Sequence, residues 1–143
     1  MNKDEFRTFM ARSYSSGTPG RAICNSRNHH FIADEFGCDE VTAGEYFLTG
    51  LTACAVNLLE RVAKESHVPL RSLDVRAEGT YKRNLGEESR TLFHEVKMRF
   101  QFLGVSDDDA QTLVATYHKR CPLYGTVATA TPEMRTTIVV DAG

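Results

Sequence analysis

The sequence is short of positive charge, of long apolar runs and of paired metal ligands, and each shortage excludes a class of function. Its 17 basic and 19 acidic residues leave a formal net charge of −2. With no surplus of cations to neutralise phosphates, nucleic acid is not an expected partner. No stretch approaches the roughly 18 continuous apolar residues of a membrane span, and the start, MNKDEFRTFM, has no apolar core of a secretory signal. A soluble cytoplasmic protein is expected. The four cysteines, Cys24, Cys38, Cys54 and Cys121, contain no C-x2-C or C-x4-C pair, and His29 and His30 are adjacent rather than one helical turn apart. Structural zinc is therefore not expected, and neither is an organic cofactor. His29 and His30 should instead alternate across a strand, one in and one out. In a reducing cytosol the cysteines read as thiols rather than as a disulfide framework. Repeats, linkers and low-complexity segments are also missing, so residues 1–143 are read as one domain.

What is present is clear punctuation. Residues 6–14 could form a strand, SSGTPG is a turn, and RAICNSRNHHFIAD reads as a hairpin turning within NSRN. The loop FGCDEVTAGEY runs into a helix over residues 43–66, stopped by Pro69. Along it Phe47, Leu48, Leu51, Ala55, Leu58, Leu59 and Val62 form one apolar stripe, with Cys54 at its edge. A strand with Leu73, Val75 and Ala77 in alternation follows, then the turn NLGEESR. In LFHEVKMRFQFLG, Val96, Met98, Phe100 and Phe102 alternate with charged and polar residues, the pattern of a strand with one buried face. Ser106 and the three aspartates after it mark a helix N-terminus. Ala110, Leu113, Val114, Tyr117 and Cys121 share one face of that helix, which Pro122 ends, with a tight turn at Gly125. TTIVVD is the last strand.

Two readings of the cysteines stand side by side. Free cysteine is among the most buried residue types and packs as a small hydrophobe. However, both apolar helices present a thiol toward one core, which makes Cys54 and Cys121 a candidate redox couple. Cys38 and Cys24 receive no role.

The segments RNHHFIADE, GEYFLTGLTACAVNLLERVAKE and CPLYGTV, in that order within residues 27–128, resemble the family of osmotically inducible protein C and the organic hydroperoxide resistance proteins (OsmC/Ohr). The resemblance implies an α+β fold with a curved antiparallel sheet and two central helices, interlocked into a homodimer with sites at the interface. It implies thiol-dependent reduction of organic hydroperoxides, regenerated by an external dithiol in stress defence, by a thiol peroxidase with peroxiredoxin-like chemistry. Cys54 would attack the peroxide, Cys121 would resolve the sulfenic acid, and Glu45 would be the helix-start carboxylate. The hydroperoxide resistance branch has an activating arginine where this chain has Thr18, and Arg21 and Arg27 are the nearest substitutes. An active Cys54 needs such a cation, because the thiolate is the nucleophile and mid-helix placement gives little help. Cys121, at a helix C-terminus, meets the negative end of the dipole, as suits a resolving thiol. Nine helical residues put Glu45 and Cys54 on opposite faces, so Glu45 is expected to serve the partner subunit's Cys54. For Glu45 the bland reading is an ordinary first-turn acid, and for Arg27 a solvated strand residue. The alternative function is a non-catalytic dimer that binds a small apolar ligand at its interface.

Overall fold

The alternating and helical periods above become nine elements in a computed structural model, which describes residues 7–35, 39–81 and 91–141. They are β1 (Arg12–Ser15), β2 (Arg21–Ser26), β3 (His29–Asp34), α1 (Ala43–Glu65), β4 (Ser72–Tyr81), β5 (Phe93–Leu103), α2 (Asp107–Arg120), α3 (Pro122–Ala130) and β6 (Glu133–Asp141). The chain divides into two compact units, Met1–Phe47 and Leu48–Gly143. Cys38 and the turn NLGEESR lie outside the described residues.

In the first unit, β1, β2 and β3 form an antiparallel sheet in that order. The strand expected over residues 6–14 starts only at Arg12, because β1 pairs just four residues, Arg12 to Ser15, with Asn25 to Ala22 of β2. His29 and His30 do not alternate in and out; both are exposed beside the hairpin tip. The sheet is held by polar contacts more than by apolar ones. Arg21 lies directly opposite Asp34, and its Nε and Nη2 donate to the two carboxylate oxygens at 2.7 and 2.8 Å. The same Nη2 reaches Asp39 at 2.9 Å. This clamp holds the Asp34 carboxyl below its ordinary range, chiefly through the Arg21 hydrogen bonds. Tyr46 lies 4.9 Å from the Phe31 ring and donates its hydroxyl to the Ile32 carbonyl at 3.0 Å.

The second unit carries the apolar core. β4 pairs antiparallel with β5, and β6 returns parallel on its other side. That parallel pairing departs from an all-antiparallel sheet, and the α2–α3 crossover supplies the long connection that parallel neighbours require. The apolar face read from β5 is buried, with Val96, Met98, Phe100 and Phe102 packed against Leu51, Ala55 and Leu59 of α1 and Leu113, Val114 and Tyr117 of α2. Full burial of such side chains is worth about 1.5–3 kcal/mol each. Helix α1 ends before Pro69. His67 takes the left-handed conformation at φ 57°, while its N–H meets the Lys64 carbonyl at 3.3 Å and the Val68 N–H meets that of Ala63 at 2.9 Å, a Schellman closure. The Ser106 hydroxyl caps α2 by accepting the Asp109 N–H at 3.1 Å, as the sequence implies.

A third helix is the main addition to the elements read from sequence. Pro122 does end α2, but it also opens α3, where the turn at Gly125 was expected. Proline has no N–H to lose at the first helical position, and its φ is already helical there.

Candidate functional site

The apolar stripe of α1 turns Leu51, Ala55 and Leu58 into the core, which leaves Cys54 half-buried at its edge. Cys121 reaches the same place by way of Pro122. It closes α2 by donating its N–H to the Tyr117 carbonyl at 2.9 Å. It also opens α3, because its Sγ accepts the Tyr124 N–H at 3.4 Å. Cys121 is therefore not at a negative helix end alone, as expected from sequence: it lies at the negative end of α2 and the positive end of α3. Cys121 is 3% exposed. The Cys54 and Cys121 sulfurs are 2.9 Å apart, 67 residues distant in sequence, and neither is in a disulfide.

The surroundings of the pair are apolar and aromatic. Burial, followed by the hydrogen bond shared with Cys121, pushes the Cys54 thiol up to about 12, with the Arg61 guanidinium pulling the other way. Tyr117, fully buried, donates its hydroxyl to the Met98 sulfur at 3.6 Å. Burial and both thiols push the Tyr117 phenol upward as well. Next to it, His118 stacks on Tyr124 with centroids 4.2 Å apart, and burial pushes the imidazole below its ordinary range. Two vicinal thiols in such a site can be oxidised to a disulfide and reduced again by exchange.

The other residues named from sequence belong to the first unit. Glu45 is in the first turn of α1, and its Oε2 accepts the Thr42 N–H and hydroxyl, both at 2.8 Å. Thr42 Oγ1 in turn accepts the Glu45 N–H at 3.2 Å, so the pair forms a capping box. Those bonds hold the Glu45 carboxyl below its ordinary range. Arg27 stands at the exposed tip of the β2–β3 turn with φ 54°. Arg21 is committed to Asp34 and Asp39. Among the described residues no three His, Cys, Asp or Glu side chains gather as metal ligands. None of their helices is long and apolar enough to cross a membrane.

Arg61, which pulls the Cys54 thiol downward, was not singled out from sequence. The signal was available, since Arg61 follows Cys54 by seven positions on the same helix, about 20° from the same face.

A family model, OsmC-like protein, matches residues 36–136. The chain belongs to this family. Glu45, Cys54, Arg61 and Cys121 of this OsmC-like chain fall inside the matched span, and Arg21 and Arg27 fall outside it. Solved structures agree in fold. An OsmC-like protein from Mycoplasma pneumoniae superposes with a TM-score of 0.84 at 13% identity, covering 95% of this chain and 99% of that one. An organic hydroperoxide resistance protein from Elizabethkingia anophelis gives 0.79 at 20% identity, covering 95% and 98%. The organic hydroperoxide resistance protein OhrB of Bacillus subtilis gives 0.67 at 15% identity, covering 94% and 98%. No curated protein sequence matches the chain.

Proposed function

We propose that this chain reduces organic hydroperoxides with Cys54 and Cys121 as its redox couple. The observation that carries the reading is the 2.9 Å separation of two reduced sulfurs. The likeness in fold to the organic hydroperoxide resistance proteins named above supports the same class of substrate. The Cys54 thiolate attacks one oxygen of the hydroperoxide and breaks the O–O bond. The leaving alkoxide takes up a proton and departs as the alcohol. Cys54 is left as a sulfenic acid. The Cys121 sulfur then displaces its hydroxyl, which leaves as water with the Cys121 proton, and a disulfide forms. An external dithiol restores both thiols by exchange and is itself oxidised. Electrons pass only between sulfur and oxygen, so the scheme needs no metal and no organic cofactor.

A homodimer is part of the proposal. Tyr81, Leu92 and Leu123 are 44–47% exposed in the second unit, apolar surface that a second copy would cover. Within such a dimer Glu45 serves the partner subunit's Cys54, since nine residues of α1 separate it from its own by about 13.5 Å along the axis. Light scattering should give twice the 16.0 kDa chain mass.

One equivalent of cumene hydroperoxide, followed by non-reducing peptide mapping, tests the chemistry. The expected product joins Cys54 to Cys121. Recovery of both as free thiols would overturn the reading and leave a second one, a non-catalytic dimer that binds a small apolar ligand and keeps the cysteines as packing. The height to which burial pushes the Cys54 thiol favours that second reading.

A further inference from the structure

A thiol ionises readily only with a cation beside it, and α1 carries one on the Cys54 side of the helix. Arg61 lies on the same helix as Cys54, two turns further on. Helical side chains lean toward the N-terminus, which carries a long guanidinium back toward the residue seven positions earlier. A carboxylate ties this region together. Glu65 lies 3.9 Å from Arg61 through one oxygen and 3.8 Å from Arg120 through the other. Arg120 immediately precedes Cys121. One acidic residue thus connects the C-terminal turn of the helix that carries Cys54 to the end of the helix that leads into Cys121.

We infer that Arg61 is the cation that stabilises the Cys54 thiolate, held by Glu65 on the side of the helices where the two thiols meet. The inference deepens the proposed peroxide reduction and rests on it for its purpose, although not for its test. Burial and Cys121, at the end of α2, oppose charge on Cys54, and Arg61 from α1 favours it. Arg61 is 57% exposed at its side chain. Solvent therefore weakens its field, and its removal leaves no buried cavity.

The test measures thiol reactivity without peroxide. The reduced full-length chain is treated with iodoacetamide from pH 7 to pH 11, and the rate at Cys54 is followed by peptide mass spectrometry. In Arg61→Met the rate at pH 8 should fall about threefold to tenfold, as expected for loss of one charge several ångströms away in a partly solvated site, and the profile should shift to higher pH. Arg61→Lys should recover most of the rate, and 1 M salt should shrink the difference. Arg76→Met removes a cation that is paired with Asp74 on β4, and it should change nothing. Rates within twofold of wild type across the whole range in Arg61→Met would overturn the inference. The two failures are distinguishable. If the wild type consumes no peroxide while Arg61→Met still slows alkylation, the proposed function falls and Arg61 stands. If peroxide is consumed and Arg61→Met alkylates like wild type, the reverse holds.

Discussion

Among the described residues the first unit holds one cysteine, the buried Cys24, and the second holds two, the half-buried Cys54 and the buried Cys121, and Cys24 and Cys54 have different neighbours. Cys24 accepts a hydrogen bond from the Ser13 hydroxyl at 3.3 Å, on a sheet where, among the described residues, only Cys24 and Asp34 are buried. Cys54 meets a second sulfur at 2.9 Å, beside a core of aliphatic and aromatic side chains. Burial alone gives a thiol no chemistry; the group it meets decides what it can do. The same contrast runs through the cohesion of the units. The first is tied by directional contacts, namely the Arg21 clamp, the Tyr46 hydroxyl and the Thr42–Glu45 box. The second is tied by non-directional apolar burial around β5.

The sharpest way to break this comparison is to exchange each thiol for a hydroxyl. Cys54→Ser should abolish peroxide consumption, whereas Cys24→Ser should consume peroxide at the wild-type rate. Cys121→Ser should react once and carry Cys54 on to the sulfinic state, read as a mass increase on that peptide. Equal consumption by the Cys24 and Cys54 variants would remove any chemical distinction between the units.

Stability should separate them next. Phe100→Ala empties a fully buried ring site and should cost about 3–5 kcal/mol. Ile23→Ala, on the partly buried β2, should cost about 1 kcal/mol. Denaturant titration gives both numbers. Hydrogen exchange should show β5 amides protected far beyond those of β2, and equal protection would contradict the contrast in cohesion. A smaller effect is expected at the directional contacts. Thr42→Ala removes the cap of α1 and should cost about 1 kcal/mol, detectable as faster exchange confined to the first turn of the helix.

A further effect is confined to alkaline pH. The Cys54 thiol is pushed from an ordinary 9.0 to about 12 in the folded chain, and Tyr117 is shifted in the same direction. Between those values the unfolded chain has released the Cys54 proton and the folded chain keeps it. Stability from this source is therefore complete below pH 9 and declines as pH rises toward 12. Cys54→Ala should flatten that decline, and an unchanged slope would show that the thiol is not held neutral by its surroundings.

The strand alternation of LFHEVKMRFQFLG, the stripe on α1 and the Ser106 cap were legible in the sequence, because each depends on a local period or a local hydrogen bond. The hairpin around Arg27 was legible for the same reason. A shared core for Cys54 and Cys121 could also be inferred, since both sit on apolar helix faces. The distance between their sulfurs could not, because it depends on how α1 and the α2–α3 junction pack around Tyr117. Local pattern does not report long-range pairing either. Asp34 carries nothing in its own neighbourhood to mark it as the partner that commits Arg21, and TTIVVD does not say that its strand will lie parallel to β5. Proline 122 shows the limit most simply. Its chemistry forbids the continuation of α2 and permits the start of α3, and only packing against the rest of the second unit selected both. Sequence determined which faces are apolar and where helices can begin, since those follow from side-chain period and backbone donors. Tertiary structure decided which charged and sulfur groups meet, since that requires segments 13 to 67 residues apart to be brought within hydrogen-bonding reach.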